Sequence, residues 1–311
     1  MQILYFFESI RNPVFDAFFS LITRLGEETA FMAIAIIIFW CVSKSQGYFL
    51  LLIGFIGTAI NQFLKIIFRV PRPWVKDPNF SVVGNAKEAA GGYSFPSGHT
   101  QSAVGLFGGI ARANKFKPAR ITAIVICVLV PISRMYLGVH TFEDVIVSTI
   151  ISLALVFFGY PLFKKAEEKP LIMYTLLGVF ALVVLALLIF VSAYNFPKEV
   201  YLPENIHNLE SAMKNAYTML GCAVGVFVVY FVESKYIKFS TKAVWWAQIL
   251  KVVLGLALVI LVKEGLRAPL DYIFNGHLIA RSVRYFLIVV VAGVVWPLIF
   301  KVVLKKIGDK K

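Results

Sequence analysis

The chain alternates long apolar runs with short polar or basic breaks. Eight runs read as membrane helices, at about 28–43, 47–68, 98–113, 119–137, 142–162, 171–193, 211–232 and 243–263, and a ninth apolar stretch follows at about 283–303. Most approach the ~20 residues that a helix needs to cross a bilayer. The run at 98–113 is shorter and more polar, so Ser97, His99, Thr100, Gln101 and Ser102 must face protein or water rather than lipid. In the first 24 residues, Phe6, Phe7, Phe15, Phe18, Phe19 and Leu21 are interspersed with Glu8, Arg11, Asp16 and Arg24. That pattern predicts an amphipathic helix lying on the outer interface, with a tilted first span as the alternative. The pattern as a whole predicts an all-α, polytopic membrane helix bundle of about eight to nine membrane helices plus the N-terminal amphipathic helix. It divides the chain into an interfacial segment (1–27), a core bundle (28–170) and a further C-terminal membrane-helix region (171–311).

Composition agrees with a membrane chain. Hydrophobic residues make up 59% and charged residues 15%, with a mean hydropathy of +0.80, whereas soluble domains carry roughly 25% charged residues. Glu8, Arg11 and Asp16 interrupt the apolar core that a cleavable signal requires. Cys41, Cys127 and Cys222 all lie inside apolar runs and read as small buried hydrophobes rather than disulfide or metal ligands.

The net charge of +14 is spread in clusters at span ends: Arg112, Lys115, Lys117 and Arg120; Lys164, Lys165 and Lys169; Lys235, Lys238 and Lys242; and Lys301, Lys305, Lys306, Lys310 and Lys311. Under the positive-inside rule these ends are cytoplasmic. Nucleic-acid binding would require a soluble basic face with stacking aromatics, and the sequence has none. Counting spans from the basic loop at 112–120 puts the other clusters on the same side. It also puts three polar motifs on the opposite, external side.

Those motifs carry the chemistry. The first runs from Lys65 to Arg72-Pro73, the second is Pro96-Ser97-Gly98-His99, and the third is Ser133-Arg134 followed by His140 and Asp144. Lys65 ends an apolar helix, where its ammonium can snorkel to the aqueous face. Pro71 and Pro73 stop that helix and hold Arg72 in extended backbone. Proline and glycine in the second motif form a tight turn opening into a helix, whose free N–H groups attract anions. Gly98 lets the backbone approach an oxygen closely. Lys65, Arg72 and Arg134 offer fixed positive charge for phosphate oxygens. Asp144 lies four residues after His140, so it can fix the histidine tautomer and free the other ring nitrogen to attack phosphorus. Any one of these residues alone is explained as an interfacial anchor, a structural histidine or a helix-terminal charge. Together, in this order on one membrane face, they imply a single phosphoryl site.

The three segments resemble the signature of the type 2 phosphatidic acid phosphatase superfamily, over roughly residues 28–162, and every motif position matches. The resemblance implies that His140 is the nucleophile that forms a phosphohistidine. His99 would protonate the leaving oxygen, and Asp144 would complete the catalytic set. Lys65, Arg72, Ser97, Gly98 and Arg134 would hold the phosphate, with no metal or other cofactor.

Residues 171–303 hold no second copy of the motifs. Their external loops carry Lys198, Glu199, Glu204, His207 and Glu210, then Lys263, Glu264, Arg267, Asp271 and His277, which read as solvated loops. The loop at 69–96, with Gly84, Gly91 and Gly92, reads as a flexible flap over the site. The expected partners are a membrane lipid phosphate and the bilayer itself, with no nucleic acid and no obligate protein partner. Undecaprenyl diphosphate is the first substrate expected, alongside phosphatidate and phosphatidylglycerol phosphate. The expected location is a bacterial plasma membrane with the site facing outward. A headgroup phosphotransferase using the same intermediate is the alternative. A non-catalytic lipid binder or transporter is less favoured, because binding alone would not require the His140–Asp144 pair.

Overall fold

The computed structural model describes residues 1–193 and 203–308, so Lys198, Glu199, Lys310 and Lys311 lie outside the described residues. Among the described residues the regular structure is entirely helical. The helices are α1 (Gln2–Ser9), α2 (Pro13–Thr23), α3 (Glu28–Cys41), α4 (Lys44–Phe68), α5 (Pro73–Lys76), α6 (Gly98–Ala113), α7 (Lys117–Tyr136), α8 (Phe142–Glu168), α9 (Pro170–Ala193), α10 (Pro203–Val232), α11 (Trp245–Gly265), α12 (Arg267–Ile273), α13 (Ile279–Val290) and α14 (Trp296–Gly308). Seven helical segments among them are long and apolar enough to cross a membrane: Lys44–Lys76, Lys117–Tyr136, Phe142–Glu168, Pro170–Ala193, Ile206–Ile237, Trp245–Ile273 and Ile279–Val303. The chain is therefore a multi-pass membrane protein. Helix α3 is apolar but shorter. Helix α6 has 16 residues, too few to span alone, and it buries the polar Thr100 and Gln101 against protein as its composition requires.

The chain packs as two compact units, neither of them a continuous stretch. One comprises residues 1–32, 49–165 and 190–213, and the other residues 33–48, 166–189 and 214–311.

In the first unit, α6 and α7 form a closely packed hairpin, and the N-terminal segment lies along α7. That segment is two short helices rather than one. Pro13 starts a new helix, and the Asn12 side chain caps it by accepting from the Val14 and Phe15 N–H groups at 3.1 and 3.0 Å. Phe7 and Phe19 pack on the Tyr136 ring with centroids 6.1 and 4.3 Å away. The Tyr136 hydroxyl donates to Asp16 at 2.7 Å, and the Arg11 guanidinium donates to the Tyr136 carbonyl at 3.0 and 3.2 Å. The apolar side left over, including Phe6, Val14 and Leu21, is exposed.

The loop at 69–96 is not a loose flap. Trp74, Val82, Val83, Ala86 and Ala90 pack on Tyr136, Leu137 and Val139. Val83 N–H donates to the Leu137 carbonyl at 3.2 Å, and Ser94 N–H to the Val70 carbonyl at 2.8 Å. Burying apolar side chains and pairing backbone groups anchor the loop along its length, something its glycines did not reveal.

In the second unit three buried polar side chains donate to backbone oxygens. Trp40 Nε1 donates to the Ala292 carbonyl at 2.8 Å, Trp296 Nε1 to the Lys251 carbonyl at 3.0 Å, and Lys251 Nζ to the Trp40 carbonyl at 3.1 Å. The buried Glu233 is paired with Lys44 at 2.7 Å.

Candidate active site

Residues from all three motifs meet in the first unit, at the ends of α4, α7 and the starts of α6, α8. Arg72 lies between its two prolines in extended backbone (φ −66°, ψ 156°), because a residue before proline is excluded from the helical region. Its guanidinium is buried and held by three carbonyls. Nε donates to Gly92 at 3.0 Å, NH2 to Gly91 at 2.7 Å, and NH1 to Val139 at 2.9 Å. NH1 also lies 2.9 Å from His140 Nε2.

That last contact assigns the histidine tautomer. A guanidinium only donates, so Nε2 accepts and the ring proton sits on Nδ1. Nδ1 then donates to Asp144 Oδ2 at 3.3 Å. The same carboxylate oxygen receives the Thr141 N–H at 2.8 Å and the Ser94 hydroxyl at 2.5 Å. The Thr141 bond is one half of a capping box, in which the third helical residue reaches back to the N-cap N–H. Asp144 therefore starts α8 and orients His140 with one oxygen. Burial pushes the His140 imidazolium well below the ordinary histidine range, and the charges of Arg72, Arg134 and Lys65, with His99, act in the same direction.

The second motif folds as an N-cap. The buried Ser97 accepts the Thr100 N–H at 3.4 Å and donates its own N–H to the Asp144 carbonyl at 3.1 Å. Gly98 and His99 open α6, and both are half-buried. The positive charges that act on His140 are those of Arg72, Arg134 and Lys65, and these three act on His99 too. Lys65 is buried in the last turn of α4 and donates Nζ to the Tyr93 carbonyl. Arg134, only 4% exposed, ends α7 and donates NH1 to the Thr23 hydroxyl at 2.7 Å, while its Nε has no hydrogen-bond partner.

Two glycines set the close approaches. Gly138, between Arg134 and His140, has φ +81°, and a Cβ there would meet Phe80 at 2.8 Å and Arg11 at 2.9 Å. A Cβ on Gly26 would meet the His99 carbonyl at 2.8 Å and Val130 at 2.9 Å. The N-terminal segment can thus lie directly against the start of α6.

All eight residues singled out from the sequence lie in this region. Reading the sequence missed Ser94, Thr23 and the carbonyls of Gly91, Gly92 and Tyr93. It also missed Thr141, although Thr141-Phe142-Glu143-Asp144 carries a legible capping signal. Among the described residues no three His, Cys, Asp or Glu side chains cluster as a metal-ion site. Three cations beside an oriented imidazole whose neutral form is favoured by burial can bind a compact polyanion.

Comparisons with known proteins point the same way. A model described as the PAP2 superfamily matches residues 46–168, and one described as PAP2 superfamily phosphatase, transmembrane extension, matches residues 217–307. The chain is 30% identical over 175 residues to phosphatidylglycerophosphatase B of Bacillus subtilis, an alignment covering 51% of this chain and 79% of that protein. It is 31% identical over 159 residues to a probable sphingosine-1-phosphate phosphatase of Dictyostelium discoideum, covering 47% of this chain but only 38% of the longer relative. A third relative, undecaprenyl-diphosphatase BcrC of Bacillus subtilis, is 26% identical over 167 residues, covering 51% of this chain and 79% of the relative.

Proposed function

The chain belongs to the PAP2 superfamily, and on that premise we propose that it is an integral-membrane lipid phosphate phosphatase working through a phosphohistidine on His140. One observation carries this reading. His140 is held by Asp144 at 3.3 Å through Nδ1, which leaves the Nε2 lone pair aimed at the cation of Arg72, 2.9 Å away. A phosphate drawn to that cation is brought to the nucleophile.

In the proposed reaction the phosphate group enters among Lys65, Arg72 and Arg134, with Gly98 and His99 offering their N–H groups at the start of α6. Arg72 NH1 passes from Nε2 to a phosphate oxygen, which frees the lone pair. His140 Nε2 attacks phosphorus, the P–N bond forms, and the P–O bond to the lipid breaks. His99 gives its proton to the departing oxygen. The negative charge of the phosphate favours a protonated His99 among three cations. Asp144 stabilises the positive charge on the His140 ring. Water then attacks phosphorus and gives a proton to His99, and the P–N bond breaks to release phosphate. Fixed cations neutralise charge in every step, so activity should survive EDTA, and a requirement for restored Mg²⁺ would overturn this part.

The substrate class follows from a site at the ends of membrane helices, where acyl or prenyl chains stay in lipid and only the phosphate reaches the cations. Phosphatidylglycerol phosphate and undecaprenyl diphosphate head the panel, because the names of two relatives carry those substrates. The test is phosphate release from detergent-solubilised lipid phosphates, with and without alcohol acceptors, followed by trapping of an acid-labile phosphoenzyme. Wild type should release phosphate and label, whereas His140→Ala should do neither. Turnover by His140→Ala above a few per cent of wild type would remove the nucleophile assignment. Transfer to alcohol in preference to water would make the protein a phosphotransferase.

A further inference from the structure

The second unit holds two arginines on one membrane-spanning segment, and neither forms an ion pair with a described carboxylate. Arg281 and Arg284 lie one turn apart on α13, at the start of the Ile279–Val303 segment, and that spacing puts them on one face of the helix. Both guanidinium groups come within 6 Å of the Tyr285 ring, at 5.9 and 5.6 Å from its centroid. Arg281 is tied down, donating Nε to the Thr218 hydroxyl at 3.2 Å. Arg284 is not. It is 6% exposed, its Nε has no hydrogen-bond partner, and no ion pair joins it to any described residue. Among the acidic groups of this unit, Glu233 pairs with Lys44 at 2.7 Å and Glu264 with Lys263 at 3.5 Å, and no ion pair links Asp271 of the neighbouring α12 to either arginine.

A buried charge with no counter-charge, beside a second charge of the same sign, is unfavourable, and in a membrane-spanning segment it points to a functional site. What relieves it must be an anion. Guanidinium geometry favours an oxyanion with two oxygens to offer, such as a phosphate. The first turns of a spanning helix lie at headgroup depth, and the neighbouring α12 exposes Tyr272 and Ile273 to 86% and 65%. We propose that Arg281 and Arg284 form a binding site for the phosphate of an anionic bilayer lipid, separate from the catalytic cluster and with no hydrolytic role.

The test uses the full chain in detergent with dioctanoyl phosphatidylglycerol, a phosphodiester that offers no terminal phosphate to hydrolyse. In native mass spectrometry wild type should retain this lipid about ten times more tightly than Arg284→Gln, with Arg284→Lys between them and Arg267→Gln like wild type. Inorganic phosphate competing the lipid off at millimolar concentration would show that the site reads the phosphate alone. Failure to compete would show that it reads the anchored lipid. Equal retention by wild type and Arg284→Gln overturns the site. Should Arg284→Gln not fold, phenylglyoxal labelling of wild type decides the matter. The peptide carrying Arg284 should be protected by phosphatidylglycerol and not by dioctanoylglycerol, and absence of that protection overturns the proposal.

Discussion

His140 can act as a nucleophile only while its ring is neutral, and the surroundings favour that form. Desolvation comes first, and the neighbouring positive charges add to it. The pH dependence follows with a definite sign. With a pKa below the ordinary histidine value of 6.5, the neutral ring persists as pH falls through that value and is lost only lower down. The acid limb of kcat/KM, which reports the free enzyme, should therefore fall below pH 6.5; a limb at or above it would contradict the assignment. Orientation is a separate contribution. Asp144→Asn keeps the shape but loses the charge and favours the wrong tautomer, so kcat should drop by about 10³–10⁴. Ser94→Ala removes one of three donors to the same oxygen. It should lower kcat about tenfold, the worth of one hydrogen bond, with KM little changed. An unchanged kcat would show that Ser94 does not position the carboxylate. The contrast between these two residues shows what can be read from sequence. Asp144 was legible because it lies only four positions after His140, in the first turn of the helix that follows the histidine. Ser94 lies 50 positions away and meets Asp144 only through the fold. Thr23, 111 positions from Arg134, left no signal at all.

Helices and turns place these residues, and here the sequence told more about elements than about the connections between them. Alternation of apolar runs with charged breaks predicted the long helices, because the bilayer requires ~20 apolar residues of each. Prolines predicted where α4 stops, and the turn made by Pro96 and Gly98 predicted where α6 starts. The loop at 69–96 was misjudged for a physical reason. Its apolar residues Trp74, Val82 and Val83 show no periodicity, and they are partly buried against Tyr136 and Leu137, which lie within the third motif's span. The loop supplies the carbonyls that hold Arg72 and Lys65, so it belongs to the site's wall. The turn after α7 is equally demanding. Gly138 carries a positive φ and lies where Phe80 and Arg11 leave no room for a Cβ. Gly138→Ala should therefore destabilise the protein by about 1–3 kcal/mol, seen as a lower unfolding temperature in detergent. It should also cut kcat, since Arg134 and His140 flank the turn. Wild-type stability and activity in this variant would mean that the turn relaxes freely.

At the scale of the whole molecule the remaining question is which side of the membrane the site faces. Within the first unit the answer rests on one hairpin. Helix α7 runs from Lys117 to Tyr136 over 20 residues, about 30 Å at 1.5 Å per residue, which is the thickness of the hydrocarbon core. Arg134 stands at one end, with His140 just beyond it. Arg112, Lys115, Lys117 and Arg120 stand exposed at and around the other end. Both ends are basic, but for different reasons. Arg134 is buried and fixed by Thr23, so it belongs to the site and says nothing about topology. The four exposed residues have no such role, and exposed basic residues in a short loop orient a chain with that loop in the cytoplasm. We expect the site to face the exterior, where it would meet lipid phosphates of the outer leaflet. Asn79 lies exposed on the site's loop and Lys115 on the opposite turn, so Asn79→Cys and Lys115→Cys report the two faces. The native Cys41, Cys127 and Cys222 are buried or half-buried and should be replaced by alanine first. A membrane-impermeant maleimide added to intact cells should then label Asn79→Cys, and it should label Lys115→Cys only after the membrane is opened. The opposite pattern would turn the protein over and make its substrate a lipid of the inner leaflet.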